Sequence, residues 1–136
     1  QEYTEQAIAT LQNFLEEYPY SQYAEEITEQ IDNLREKLAH KTYSNGHLYY
    51  ILRQYDSAII YYDQLLERYY DTSYANQTRL ERAKSLVELD RSDEAVTQLR
   101  ELINRNPSEE IRIEAESILQ ELGNAPAVAE NPDDLE

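Results

Sequence analysis

One short pattern occurs three times in this chain, and it limits the possible folds more than any other feature. Ala58-Ile59-Ile60-Tyr61-Tyr62, followed by Leu65-Leu66, returns as Ala95-Val96-Thr97-Gln98-Leu99 with Leu102-Ile103 and then Pro107. A third copy, Ala7-Ile8-Ala9-Thr10-Leu11 with Phe14-Leu15 and then Pro19, stands near the start. Apolar residues spaced by three and four lie on one face of an α-helix. A repeated amphipathic helix cannot bury its face alone, so successive copies must stack into a shared core.

The repeat resembles the tetratricopeptide pattern. Ala58 and Ala95 fall on the small position of the second helix of a hairpin, and Gly46 and Ala83 on the small position of the first, twelve residues earlier. Two helices approach closely only where the crossing residues are small; Tyr62, Leu65, Leu99 and Leu102 then fill the flanking space, with Tyr49 and Leu86 at the bulky first-helix position. Within a helix Gly46 costs about 1 kcal/mol relative to alanine, which points to a packing requirement there. From Ala58 to Ala95 is 37 residues, but from Ala7 to Ala58 is 51, an excess of 14. That excess is close to four helical turns, so it fits inside a helix without rotating the apolar face.

Only 2 Gly and 4 Pro interrupt the chain. Periodicity predicts helices from Glu2 to Glu17, Gln22 to Leu52, Asp56 to Arg68, Tyr74 to Leu89, Asp93 to Asn104 and Glu109 to Leu122. At the breaks between them, Ser and Asp side chains are placed to accept free amide hydrogens. The stripe Ala24, Ile27, Ile31, Leu34, Leu38 slips by one to continue as Ala39, Tyr43, Gly46, Tyr50, which a kink near His40 to Thr42 would explain. The expected fold is therefore all-α: an α-solenoid of antiparallel helix pairs over residues 1–122, with one unusually long helix and a C-terminal capping helix. Residues 123–136 lack periodicity and end in an acidic run, so a disordered tail is expected.

Charge and composition exclude several functions. Twelve Lys and Arg against 28 Asp and Glu give a net charge of -16, opposite to the basic footprint that nucleic acid requires. No apolar run approaches the ~18 residues of a membrane span. Cysteine is absent, which removes thiolate metal sites and cysteine nucleophiles. His40 and His47 lie ~10 Å apart along a helix and cannot share one metal ion. With no phosphate loop, calcium loop or ordered catalytic triad, no catalytic residue, cofactor or metal is expected.

Thirteen tyrosines are the compositional anomaly. They concentrate between Tyr49 and Tyr74, inside the stretch 41–91 where 7 basic residues balance 7 acidic ones. Tyr49, Tyr55 and Tyr62 fit packing positions of the repeat. Tyr50, Tyr61, Tyr69 and Tyr70 do not, and an amphipathic ring that loses little entropy on burial suits an interface. With Arg53, Arg68 and Arg79 they form the expected partner-binding set.

The order of these features resembles one family closely. Glu17-Tyr18-Pro19-Tyr20-Ser21-Gln22-Tyr23-Ala24 opens a long helix that carries Leu38-Ala39, Gly46, Tyr49-Tyr50 and Arg53, and then Tyr55 stands three residues before Ala58. This is similar to BamD, the lipoprotein family of the outer-membrane β-barrel assembly machinery, over about residues 5 to 107. Lys41-Thr42 replaces a Glu usual in the family, and Tyr69-Tyr70-Asp71 lacks the usual proline. The resemblance implies the C-terminal repeats of a longer, lipid-anchored protein on the periplasmic face of the outer membrane. It also implies a non-catalytic scaffold that binds the POTRA domains of BamA, and possible contact with other lipoproteins of the machinery. The alternative is another periplasmic tetratricopeptide adaptor, for cell division or envelope coordination, that holds a peptide in its groove.

Overall fold

The computed structural model describes residues 1–124. They form six α-helices in chain order: α1 (Glu2–Glu17), α2 (Ala24–Ile51), α3 (Tyr55–Arg68), α4 (Ala75–Glu88), α5 (Ser92–Asn104) and α6 (Glu109–Asn124). Each helix packs chiefly on its chain neighbours, with further contacts between α2 and α4 and between α4 and α6. The pairs α2–α3 and α4–α5 are the two hairpins, and α6 closes the end of the stack. α6 extends two residues past its predicted end, so Gly123 and Asn124 are helical; the rest of the expected tail lies outside the described residues.

The 14 extra residues lie inside α2, which is unbroken through His40–Thr42. The slip of its apolar stripe marks a change of neighbour. Ile27, Ile31, Leu34 and Leu38 pack with Ile8, Leu11 and Leu15 of α1, whereas Gly46 turns toward Tyr61 and Tyr62 of α3. Two apolar clusters result. Ile8, Ile31, Leu38, Ala39, Leu65 and Tyr69 form one; Ile59, Leu80, Ala83, Leu86, Ala95, Leu99, Leu102 and Ala115 form the other. Ala58, Ala83 and Ala95 have no exposed surface, as crossing positions require, while Ala7 is exposed because α1 packs closely against α2 alone.

The expected side-chain cap is present at α6, where Ser108 Oγ accepts from Ile111 N at 3.4 Å, but the other helix ends differ. Starts of α1 to α5 carry no side-chain cap bond, although Ser21 Oγ accepts from Tyr23 N at 3.2 Å. α2 and α4 close on left-handed residues instead: Arg53 at φ 60 and Asp90 at φ 58. Behind Arg53, Gln54 N donates to Tyr49 O at 2.9 Å, and behind Asp90, Arg91 N donates to Leu86 O at 2.9 Å, the bonds of a Schellman closure. Asn106, at φ 50, has the same conformation, but Pro107 follows it and has no N–H to complete the motif.

Candidate partner-binding surface

Most of the tyrosines are organised by α2, whose two sides meet different helices. On one side Tyr49 stacks on Tyr61 of α3, centroids 5.5 Å apart and planes 14° apart. Beside this pair the aliphatic side chains Leu48, Ile51 and Leu52 remain more than half exposed at the end of α2. On the other side runs a ribbon of rings. Tyr74 lies 5.4 Å from His40 and 5.8 Å from Tyr43; Tyr43 to His47 is 5.7 Å, His47 to Tyr50 is 6.1 Å, and Tyr50 to Tyr55 is 5.7 Å.

Under this ribbon lies a buried carboxylate that the sequence reading did not single out. Glu81 of α4 accepts from Tyr43 Oη at 2.6 Å and from Tyr62 Oη at 2.7 Å, and meets His47 Nδ1 as well. A carboxylate can only accept, so the His47 ring carries its proton on Nδ1. Desolvation first, and then the bond to Glu81, push the Tyr43 and Tyr62 hydroxyls far above the ordinary tyrosine range. Thr78, Glu81 and Ser85, at helical spacing, read in the sequence as a solvated polar stripe, yet the structure buries all three.

The expected partner-binding residues separate into two groups. Tyr50, Arg53 and Tyr61 gather where α2 turns into α3. Tyr50 is half-buried, its hydroxyl pushed up mainly by desolvation; Tyr61 is half-buried in its stack; Arg53 is exposed at the turn. Arg68, Tyr69, Tyr70 and Arg79 lie toward the opposite end of α3 and the first half of α4. Arg68 is exposed and 3.9 Å from Glu5, and Tyr70 is 60% exposed. Tyr69 is part of the apolar cluster beneath Arg35, with 6% of its surface exposed, and desolvation raises its hydroxyl. Arg79 is buried too, donating to Asn76 Oδ1 at 2.9 Å, its guanidinium pushed down first by burial and then by Arg105. In this structure those two side chains present almost no surface to a partner. The exposed aliphatic trio Leu48, Ile51 and Leu52 was missed, although three such residues within one turn and a half were visible.

Comparison with known proteins accords with this architecture. A comparison with curated proteins finds no match. A tetratricopeptide-repeat model matches residues 77–108, which hold α4 and α5. The model of a family described as outer membrane lipoprotein, YfiO, matches residues 1–88, the segment that holds α1 to α4, the tyrosine surfaces and Glu81. The chain belongs to this BamD-type family of outer membrane lipoproteins and is built of tetratricopeptide-like helix pairs.

Proposed function

We propose that this chain is a non-catalytic scaffold of the outer-membrane β-barrel assembly machinery, acting on the periplasmic side, and that it binds the POTRA region of BamA where α2 turns into α3. The observation that carries the reading is the exposed apolar surface within the family-matched segment. Leu48, Ile51 and Leu52 stand uncovered beside the Tyr49–Tyr61 stack, and Arg53 sits at their edge. Aromatic anchors with adjoining aliphatic surface and a rim arginine have the composition of an interface centre. Arg53 is also held with a Cβ in left-handed backbone, where glycine is the unstrained choice, so its guanidinium is retained at a conformational cost.

Pull-down of the 136-residue chain with purified POTRA domains tests the assignment. Tyr61→Ala and Arg53→Glu are each expected to weaken capture about tenfold, in the range of interface anchors. Unchanged capture by both variants would remove this surface from consideration. Arg53→Gly separates binding from stability, because it is expected to raise stability by about 0.5–1 kcal/mol while still weakening capture.

A further inference from the structure

The turn between α1 and α2 builds a second surface, unrelated to the one above. Phe14, Glu17, Tyr18, Pro19, Tyr20, Ser21 and Tyr23 line an open groove of about 730 Å³. Tyr23 and Tyr49 are separated by 26 residues, essentially the length of α2, or roughly 40 Å. Phe14 and Tyr18 pack at 5.1 Å, while Tyr18, Tyr20 and Tyr23 are 52, 99 and 54% exposed. The backbone beneath them is tied down: Ser21 N donates to Tyr18 O and Ala24 N to Ser21 O, both at 3.1 Å. The rings are thus presented to solvent on a fixed turn.

Charge identifies what the groove would accept. Residues 1–34 contain eight carboxylates and no Lys, Arg or His. Among the described residues only Glu5 of these eight has an ion-pair partner. Glu16 and Glu17 occupy the last turn of α1 with no basic residue there, although the helix dipole already makes that end negative. The groove therefore combines aromatic faces with uncompensated negative potential, two features that both favour a cation. Another copy of a chain of net charge -16 would be repelled, and so would an anionic bilayer surface.

We propose that this groove docks an extended, arginine- or lysine-bearing segment of a partner protein, the cation lying over the tyrosine rings beside Glu17 and neighbouring apolar residues packing on Phe14 and Pro19. The test uses the 136-residue chain and a short synthetic peptide carrying arginines around a Pro-Leu pair, with a twin in which citrulline replaces each arginine. Binding is followed through the tyrosine ring resonances. The expected result is saturable shifts at Tyr18, Tyr20 and Tyr23 with the arginine peptide, weakening as salt rises. Tyr20→Ala and Glu17→Gln each lower affinity about tenfold, whereas Tyr70→Ala leaves it unchanged. Tyr20 is almost wholly exposed, so its variant folds normally. Equal binding of the citrulline twin, or insensitivity to both groove variants, overturns the proposal. So does Tyr20-dependent binding of phosphatidylcholine vesicles without binding of the peptide, which would make the groove a lipid-headgroup site.

Discussion

At Gly46 two residue-scale effects oppose each other. Alanine is the better helix former by about 1 kcal/mol, yet a Cβ there would lie 2.5 and 2.8 Å from ring carbons of Tyr62 and 3.2 Å from Tyr61 Cβ. Tyr62 cannot move aside, because it is completely buried and its hydroxyl is held by Glu81. Forcing a methyl group into a packed core costs about 1–3 kcal/mol, so the steric effect wins and Gly46→Ala is expected to destabilise by up to about 2 kcal/mol. Urea unfolding measures this; an unchanged or higher midpoint would show that the ring gives way. A close approach at Gly46 was legible in the sequence, but the anchoring of its partner was not. Glu81 is one of 28 acidic residues, and only the convergence of three helices distinguishes it. The same network gives a pH dependence. Tyr43 and Tyr62 titrate well above the ordinary value of 10.0 when folded, so above that value the unfolded chain loses protons that the folded chain keeps. Their contribution is complete below pH 10 and is lost progressively as pH rises above it. Stability is expected to fall steeply there, less so in Tyr62→Phe, with tyrosinate absorbance from these rings emerging only as helicity is lost.

The clamp between α2 and the α3–α4 connection is a feature of whole elements. Arg35 donates to Arg68 O at 3.0 Å and pairs with Asp71, while Glu36 accepts from Ser73 N at 2.8 Å and from Ser73 Oγ at 2.6 Å. One turn of the long helix thus adds to the connection's own bond, from Thr72 Oγ1 to Tyr69 O at 2.7 Å, and holds the start of α4, which has no side-chain cap. Glu36→Ala is expected to cost about 1 kcal/mol and to speed hydrogen exchange at the Ser73 amide about tenfold, with helix content unchanged. Persistent protection of that amide would mean that the loop holds itself. Helix positions were readable to within two residues at every end, because strong periodicity and few breakers leave little choice. Their closures were not, since Arg53 and Asp90 occupy left-handed positions that a search for glycine passes over. The turn of apolar stripes along α2 was visible as a slip, and only the neighbouring helices reveal it as a change of partner.

Across the whole molecule, stability passes from pair to pair as in other solenoids. α6 covers the second cluster with Ala115 and, around it, Ile111, Ile118, Leu119 and Leu122. Uncovering even two large side chains costs about 3–6 kcal/mol, comparable with the net stability of a small domain. A chain ending at Pro107 is therefore expected to lose amide protection throughout α4 and α5 while α1 and the first half of α2 keep more of theirs. Uniform loss along the chain would show a single cooperative unit instead. Between the two apolar clusters lies the polar set of Tyr43, His47, Tyr62 and Glu81, joining α2, α3 and α4. Greasy surfaces can slide over one another at small cost, whereas several directional bonds converging on one carboxylate tolerate little twist. The Glu81 cluster thus works as a keyed joint, setting the angle at which α4 crosses the α2–α3 hairpin.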